Sequence, residues 1–200
     1  MQKAALAPLL AAPLLVLAAL TPVTALARNH AALTQPDPDL VYLVQHAEDE
    51  QDDFQDDYDR QVWLTTMSSR MVEYVPDAKE RIALLTLIHK EAARAKLPPQ
   101  LVLSVIQVES KFDAYAVSKA GAVGLMQIMP FWLKLIGRPD DSLVHAQTNL
   151  RMGCTILKYY IIKTHGDLRE ALQRYNGATV GIDYSDQVLK ALNQRWFLDR

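Results

Sequence analysis

The sequence predicts an all-α fold in a single domain, and three observations support this prediction. The chain of 200 residues can build one apolar core but hardly two independent domains. From Arg60 onward, apolar residues recur at helical spacing between prolines and glycines. Alternating apolar and polar residues, the pattern of a half-buried strand, never run long enough to build a sheet. At most a minor β-hairpin is predicted, between Phe112 and Gly124.

Prolines and glycines set the ends of the predicted helices. Pro76 separates the first two segments. The third opens at Pro98 and Pro99, because proline is tolerated in a first helical turn, where its missing N–H would have no partner. In a later segment, Leu150 and Cys154 begin an apolar face at helical spacing. The predicted helices cover residues 61–74, 77–96, a segment from residue 98 onward, 125–136, 146–164, 167–175 and 184–198.

Residues 101–108 are rich in β-branched side chains and fit either a buried strand or a helix. The preceding prolines and the neighbouring helical segments favour a helix. In a helix, Val102, Ile106 and Glu109 lie on one face. The carboxyl group of Glu109 then ends an apolar stripe at the negative end of the helix dipole, and both effects raise its pKa. A general acid near neutral pH needs such a shift, although a lone glutamate at a helix end is ordinarily a surface residue.

The first residues carry the layout of an export signal. Lys3 precedes an apolar run that reaches Leu20, and small residues follow up to Ala27. This order predicts a secretory signal peptide over residues 1–27, cleaved after Ala27, and therefore an exported, periplasmic protein. A membrane anchor is the alternative, but two prolines interrupt the run, and its length is at the short end for a span.

Residues 28–60 are predicted to form a tether, and residues 61–200 the folded domain. The tether ends in an acidic block from Glu48 to Asp59, which contains eight acids and no base. From Arg60 to the end, 19 Lys and Arg stand against 13 Asp and Glu. A block of like charges ordinarily stays solvated. The alternative is that it competes with an anionic polymer for a basic groove.

The sequence does not indicate a cofactor or a metal site. The five histidines are scattered without ligand spacing, and no glycine-rich phosphate cradle occurs. Cys154 is the one cysteine, so it cannot form an internal disulfide, and it is predicted to be a small buried hydrophobe. We therefore expect no cofactor, no metal, and no nucleic acid among the partners.

Three motifs follow one another in the second half of the chain: Glu109-Ser110, the segment SKAGAVGLMQIMP from Ser118 to Pro130, and Tyr175-Asn176-Gly177. Over residues 97–188 the chain resembles the soluble lytic transglycosylase domain, whose relatives include goose-type lysozymes. The resemblance implies a single lysozyme-like catalytic domain with a cleft for the glycan strands of peptidoglycan (murein). It also implies a lyase that cleaves the β-1,4 bond between N-acetylmuramic acid and N-acetylglucosamine and leaves 1,6-anhydro-muramic ends.

Matched position by position, the resemblance makes Glu109 the catalytic acid and base. It implies six substrate-binding residues: Ser118, Met126, Gln127, Tyr175, Asn176 and Tyr184. Simpler interpretations are a core position for Met126, a helix cap for Ser118 and a turn at Asn176. Arg174 departs from the family pattern, in which a small residue precedes the Tyr-Asn pair; it either points to solvent or pairs with a substrate carboxylate.

Glycosidases ordinarily use two carboxylates, and the motifs supply one. Asp113 is a conceivable partner, but in the family pattern its position belongs to a turn. Substrate-assisted catalysis, in which the N-acetyl oxygen of the sugar stabilises the cationic centre, replaces the missing carboxylate. The alternatives are a lysozyme-type hydrolase and a non-catalytic wall-binding or secretion-assembly factor. We expect a monomer that binds peptidoglycan strands, with cell-envelope machinery as a candidate partner.

Overall fold

A computed structural model describes residues 38, 42, 57–177 and 183–197. In these ranges the protein is helical, as predicted, and β structure is limited to two isolated bridges, Val117–Val123 and Val123–Ile128. The elements of the described ranges are α1 (Asp57–Met71), α2 (Ala78–Arg94), α3 (Pro99–Glu109), α4 (Phe131–Ile136), α5 (Ala146–Lys163), α6 (Leu168–Asn176), α7 (Asp183–Ala191) and a π-helical turn (Leu192–Trp196).

Helix α3 lies in the core, where it packs against α2, α7 and the π-helical turn. All six residues from Leu101 to Ile106 are buried. A helix that is buried on every side needs apolar residues all round. This requirement explains why a β-branched run that also fits a strand forms a helix here, after the pair Pro98-Pro99 has started it.

Two helices, α2 and α6, begin with an aspartate N-cap. The Asp77 carboxylate accepts a hydrogen bond from the Glu80 N–H at 2.7 Å, and Asp167 accepts one from the Glu170 N–H at 3.0 Å. Each bond satisfies one of the N–H groups that have no partner inside the helix. At the other end of α6, Gly177 has a left-handed φ of 77°, which ends the helix at Asn176.

The prediction of one helix over residues 125–136 is wrong in its first half, because α4 begins only at Phe131. Gly124 and Gln127 both have positive φ, 79° and 50°, and the Val123–Ile128 bridge closes a turn around them. A left-handed residue cannot continue a right-handed helix. Residues 123–128 form a loop instead, which we call the 123–128 loop.

The other predicted helices exist with shifted ends. Helix α1 begins at Asp57, before the predicted start at residue 61, and so includes the last two acids of the acidic block. The predicted helix over residues 184–198 changes to a π-helical turn at Leu192, and Leu198 lies outside the described residues. The minor hairpin predicted from Phe112 to Gly124 is reduced to the two bridges, which also involve Ile128.

The predicted signal peptide, most of the tether and most of the acidic block lie outside the described residues. Among the residues that are described, no helix combines the length and the apolar character that a membrane crossing requires. Cys154 is buried, as predicted, and burial raises the pKa of its thiol to about 12. A thiol with so high a pKa is a poor nucleophile.

Candidate active site

Glu109 is the last residue of α3, at the point where this buried helix reaches the surface, and its side chain is partly buried. Burial raises the pKa of the Glu109 carboxyl from 4.5 to about 7. The hydroxyl of Tyr184 donates a hydrogen bond to Glu109 Oε1 at 2.6 Å, which lowers that pKa, so burial is the stronger influence. The carboxyl is therefore half-protonated near neutral pH, the condition that suits a group acting as both acid and base.

The charge of this carboxyl acts on two tyrosines from different helices. Tyr184 comes from α7 and Tyr175 from α6. Burial raises the pKa of each tyrosine well above its ordinary value, and the negative charge of Glu109 raises both further. Both phenols therefore stay protonated and can act as hydrogen-bond donors. The site is thus assembled from the ends of α3, α6 and α7.

The 123–128 loop is fixed by side chains of α5 and α6 and by Ser110, which follows α3. Ser110 Oγ, directly after Glu109, donates to the carbonyl of Leu125 at 2.8 Å. The Tyr175 hydroxyl donates to the carbonyl of Met126 at 2.8 Å. The side chain of Asn149 on α5 accepts from the Met126 N–H at 2.8 Å. Hydrogen bonds thus connect the loop to Ser110, the residue after Glu109, and to Tyr175.

The structure places the six predicted substrate-binding residues in different environments. Tyr184 is hydrogen-bonded to Glu109, and Tyr175 to the carbonyl of Met126, as described above. The side chain of Met126 is fully buried, and the Gln127 side-chain amide donates to the carbonyls of Ala116 and Gly124, at 3.1 and 3.0 Å. The substrate contacts of all six remain predictions.

Ser118 is partly exposed, and Asn176 is exposed. Ser118 Oγ accepts the N–H of Ala122 at 3.0 Å, which closes the turn between them and leaves its hydroxyl hydrogen for another acceptor. Asn176 is exposed at the end of α6. Arg174, the departure from the family pattern, is also exposed and pairs with Glu170 at 2.6 Å.

Sequence reasoning missed Asn149. Its side chain is 1% exposed and makes three hydrogen bonds to backbone groups. The available signal was helical spacing, which puts Asn149 on the same face as the buried residues Met152 and Ile156, where a polar side chain nearly always has partners. The partners themselves, 23 and 26 residues away on the 123–128 loop, have no local signature.

Comparison with known proteins identifies the family. The family described as "Transglycosylase SLT domain" matches residues 86–192, more than half of the chain. The chain belongs to this family. The match confirms the resemblance that the three motifs indicate, and Glu109, Tyr175 and Tyr184 all lie within the SLT domain.

Curated relatives carry the name "Membrane-bound lytic murein transglycosylase C". The protein of this name from Yersinia pestis (strain Pestoides F) is 38% identical over 132 residues, which cover 57% of this chain and 37% of the relative. The one from Actinobacillus pleuropneumoniae serotype 5b is 50% identical over 46 residues, 23% of this chain and 13% of the relative. The chain thus spans well under half the length of these relatives.

Solved structures of lytic transglycosylases match the chain at low identity. An inactive mutant of lytic transglycosylase Slt from Pseudomonas aeruginosa has a TM-score of 0.49 at 20% identity, covering 86% of this chain and 34% of the other. The 70 kDa soluble lytic transglycosylase from Escherichia coli has a TM-score of 0.42 at 20% identity, covering 80% and 26%.

Replacing Tyr184 with phenylalanine should raise the pKa of Glu109 above about 7. The phenol hydrogen bond favours the ionised carboxyl, so its removal leaves burial unopposed. Infrared spectra of the SLT domain distinguish the protonated carboxyl from the carboxylate, and the Glu109 signal is the difference between the protein and its Glu109→Gln variant. Tyr58→Phe, at an exposed position of α1, is the matched control. An unchanged midpoint in Tyr184→Phe would show that the phenol does not act on Glu109.

Proposed function

We propose that this chain is a peptidoglycan lytic transglycosylase that cleaves the β-1,4 bond between N-acetylmuramic acid and N-acetylglucosamine and leaves a 1,6-anhydro end. One observation carries the proposal: Glu109 ends a buried helix with a carboxyl whose pKa is about 7. Membership of the SLT domain family supports the same conclusion. Relatives that match part of the chain are named lytic murein transglycosylases.

In the first step, protonated Glu109 donates its hydrogen to the oxygen of the glycosidic bond, and the bond between this oxygen and C1 of the muramic residue breaks. A carboxyl with a pKa near the working pH is efficient in this role, because the acid is present and its proton is still readily given up. The ionised Glu109 that results is stabilised by the hydrogen bond from Tyr184 at 2.6 Å.

The muramic N-acetyl oxygen then stabilises the positive charge at C1, which is the role of the second carboxylate in ordinary glycosidases. Asp113, the next acid along the chain after Glu109, is exposed, and its Oδ1 accepts the N–H of Tyr115 at 2.8 Å. This bond gives Asp113 a role in the turn, as the family pattern implies, and supports substrate-assisted catalysis.

In the second step, the Glu109 carboxylate takes the proton of the muramic 6-hydroxyl, whose oxygen closes on C1. A C1–O6 bond replaces the broken C1–O4′ bond, no water is consumed, and Glu109 regains its proton. One carboxyl thus serves first as acid and then as base, for which a pKa near 7 is suited.

The glycan strand is proposed to contact Glu109 and the six predicted substrate-binding residues. The free hydroxyl hydrogen of Ser118 and the exposed amide of Asn176 suit an N-acetyl group, which accepts and donates hydrogen bonds. Gln127, Tyr175 and Tyr184, whose polar groups have partners inside the protein, are proposed as further contacts. Met126, whose side chain is fully buried, can contribute only through the shape of its backbone.

The proposed substrate requires export, because peptidoglycan lies outside the cytoplasmic membrane. The predicted signal peptide over residues 1–27 supplies a route, and action in the periplasm as a monomer is part of the proposal. The name "membrane-bound" of the relatives in Yersinia and Actinobacillus is consistent with the cell envelope. Cell-envelope machinery stays a candidate partner.

Mass spectrometry of digested sacculi tests the reaction type. The purified protein should release muropeptides with 1,6-anhydro ends, which are one water lighter than the products of a hydrolase. A digest made with a known muramidase supplies the hydrolytic reference. Products with reducing ends would identify a lysozyme-type hydrolase, and binding to sacculi without soluble products would identify a wall-binding factor. Either result would refute the proposed reaction.

A further inference from the structure

We propose that Asn149 is a positioning residue for the proposed reaction, because its side-chain amide holds the 123–128 loop in the shape that brings the backbone of Met126 to Tyr175, beside Glu109. The inference rests on the proposed function and adds to it a residue on α5, a helix that supplies none of the predicted site residues. Asn149 acts through the loop and does not touch the reacting atoms.

The amide of Asn149 joins three backbone segments. Its Nδ2 donates to the carbonyl of Val123 at 2.8 Å and to the carbonyl of Leu143 at 2.9 Å, and its Oδ1 accepts from the N–H of Met126 at 2.8 Å. The side chain is 1% exposed, so water cannot replace these partners. Asn149 therefore holds the start of the loop at Val123 and its middle at Met126, and also ties the loop to the segment that leads into α5.

Only an amide of this length fits the site. Two of the partners are carbonyls that need a donor, and one is an N–H that needs an acceptor. Asparagine offers two donors and an acceptor, whereas aspartate is acceptor-only when ionised and leucine offers neither. The space is also tight, because a Cβ at Gly124 would overlap Asn149 Nδ2 and the Leu143 carbonyl. A longer glutamine side chain would meet the same backbone.

Met126 connects this amide with the site. Its N–H is held by Asn149, and its carbonyl accepts the hydroxyl of Tyr175 at 2.8 Å. The carbonyl of the preceding residue, Leu125, accepts Ser110 Oγ. If the Asn149 side chain is lost, the Met126 peptide is free to rotate, and the acceptors of both Tyr175 and Ser110 shift.

The shift affects the reacting carboxyl through its neighbours. Tyr175 lies close enough to Glu109 for the charge of the carboxylate to act on its phenol, and Ser110 is bonded directly to Glu109 along the chain. A displacement of about 1 Å at a positioning contact can reduce a rate by about 100-fold. Glycan binding, by contrast, is proposed to involve several side chains and depends less on any one contact.

The test is the steady-state kinetics of Asn149→Ala, read together with hydrogen exchange at the Met126 amide. We expect kcat for release of anhydro-muropeptides to fall about 10- to 100-fold while KM changes less than about threefold. Exchange at the Met126 amide should become faster, because its acceptor is gone. An unchanged kcat, or a Met126 amide that stays protected, would overturn the proposal.

Thr155→Val is the matched control for a lost buried hydrogen bond on the same helix. Thr155 is also buried in α5, but its hydroxyl accepts from Arg94 on α2 and donates to the carbonyl of Arg151, away from the 123–128 loop. The Thr155→Val substitution should lower the melting temperature and leave kcat unchanged at temperatures where the variant is folded. If Asn149→Ala behaves in the same way, its role is structural only, and the proposal fails.

Asn149→Asp provides a second variant in case the alanine variant does not fold. It keeps the size and an acceptor for the Met126 N–H but turns a carboxylate toward the carbonyls of Val123 and Leu143. We expect kcat to fall about tenfold with the Met126 amide still protected; wild-type kcat here would contradict the proposal. If the wild-type protein makes no anhydro products, the proposed function fails, whereas amide exchange still reports whether Asn149 holds the loop.

Discussion

Replacing Glu109 with glutamine is expected to slow the release of anhydro-muropeptides from sacculi by a factor of about 10²–10⁴, the usual contribution of a general acid–base group. Glutamine keeps the size of the side chain and can still accept the hydrogen bond from Tyr184. It cannot give a proton to the glycosidic oxygen or take one from the 6-hydroxyl. The measurement is the rate at which soluble muropeptides appear, with binding to sacculi measured separately.

Glu80→Gln is the control for the substitution itself, since Glu80 is an exposed residue in the first turn of α2. It should digest sacculi at the wild-type rate. The Glu109→Gln variant should still bind sacculi, because the other groups that face the glycan are unchanged. Wall digestion at the wild-type rate by Glu109→Gln would rule out Glu109 as the proton donor.

The same substitution should stabilise the folded protein above neutral pH. The ordinary pKa of a glutamate carboxyl is 4.5, and burial raises the pKa of Glu109 to about 7 in the folded protein. Below pH 4.5 the carboxyl is protonated in both the folded and the unfolded chain, and burial has no electrostatic cost. Between 4.5 and about 7 the unfolded chain loses this proton while the folded chain keeps it, so the free energy of unfolding falls as the pH rises.

Glutamine never ionises, so Glu109→Gln should escape this loss. One pKa unit corresponds to about 1.4 kcal/mol, and the variant should gain about 2–3 kcal/mol over wild type at pH 8, after allowance for partial exposure. At pH 4 the two proteins should differ little. Urea unfolding at pH 4 and pH 8 measures the free energy of unfolding of both proteins. If the variant and the wild type differ by the same amount at both pH values, the fold does not raise the pKa of the carboxyl. Such a gain at pH 8 would show that the wild-type protein is less stable at this pH because it keeps an ionisable carboxyl at position 109 for catalysis.

Much of the fold is local in origin and could be predicted from the sequence. Prolines mark the start of α3, Gly177 marks the end of α6, and the apolar face of α5 has helical spacing. The 123–128 loop could not be predicted in this way. Its apolar residues resemble the start of a helix, and the positive φ of Gln127, a residue with no preference for that conformation, appears only with the tertiary bonds that fix it.

The candidate site, too, could be predicted from the sequence only where its signals are local. Glu109 could be located because an acid at the end of an apolar stripe is visible in a window of eight residues, from Val102 onward. The resemblance to the SLT domain brought Tyr175 and Tyr184 into the site. The contact between Tyr184 and Glu109 spans 75 residues of chain, and the partners of Asn149 are likewise distant, so neither follows from spacing.

The most direct measurement is a carbon-13 NMR titration of the Glu109 side-chain carboxyl in the intact protein, assigned by its disappearance in Glu109→Gln. Burial in the fold should place the midpoint at about pH 7, and acid unfolding should return it to about 4.5. A folded protein in which this carboxyl titrates near 4.5 would carry no proton donor at neutral pH, and the proposed catalytic role of Glu109 would be wrong.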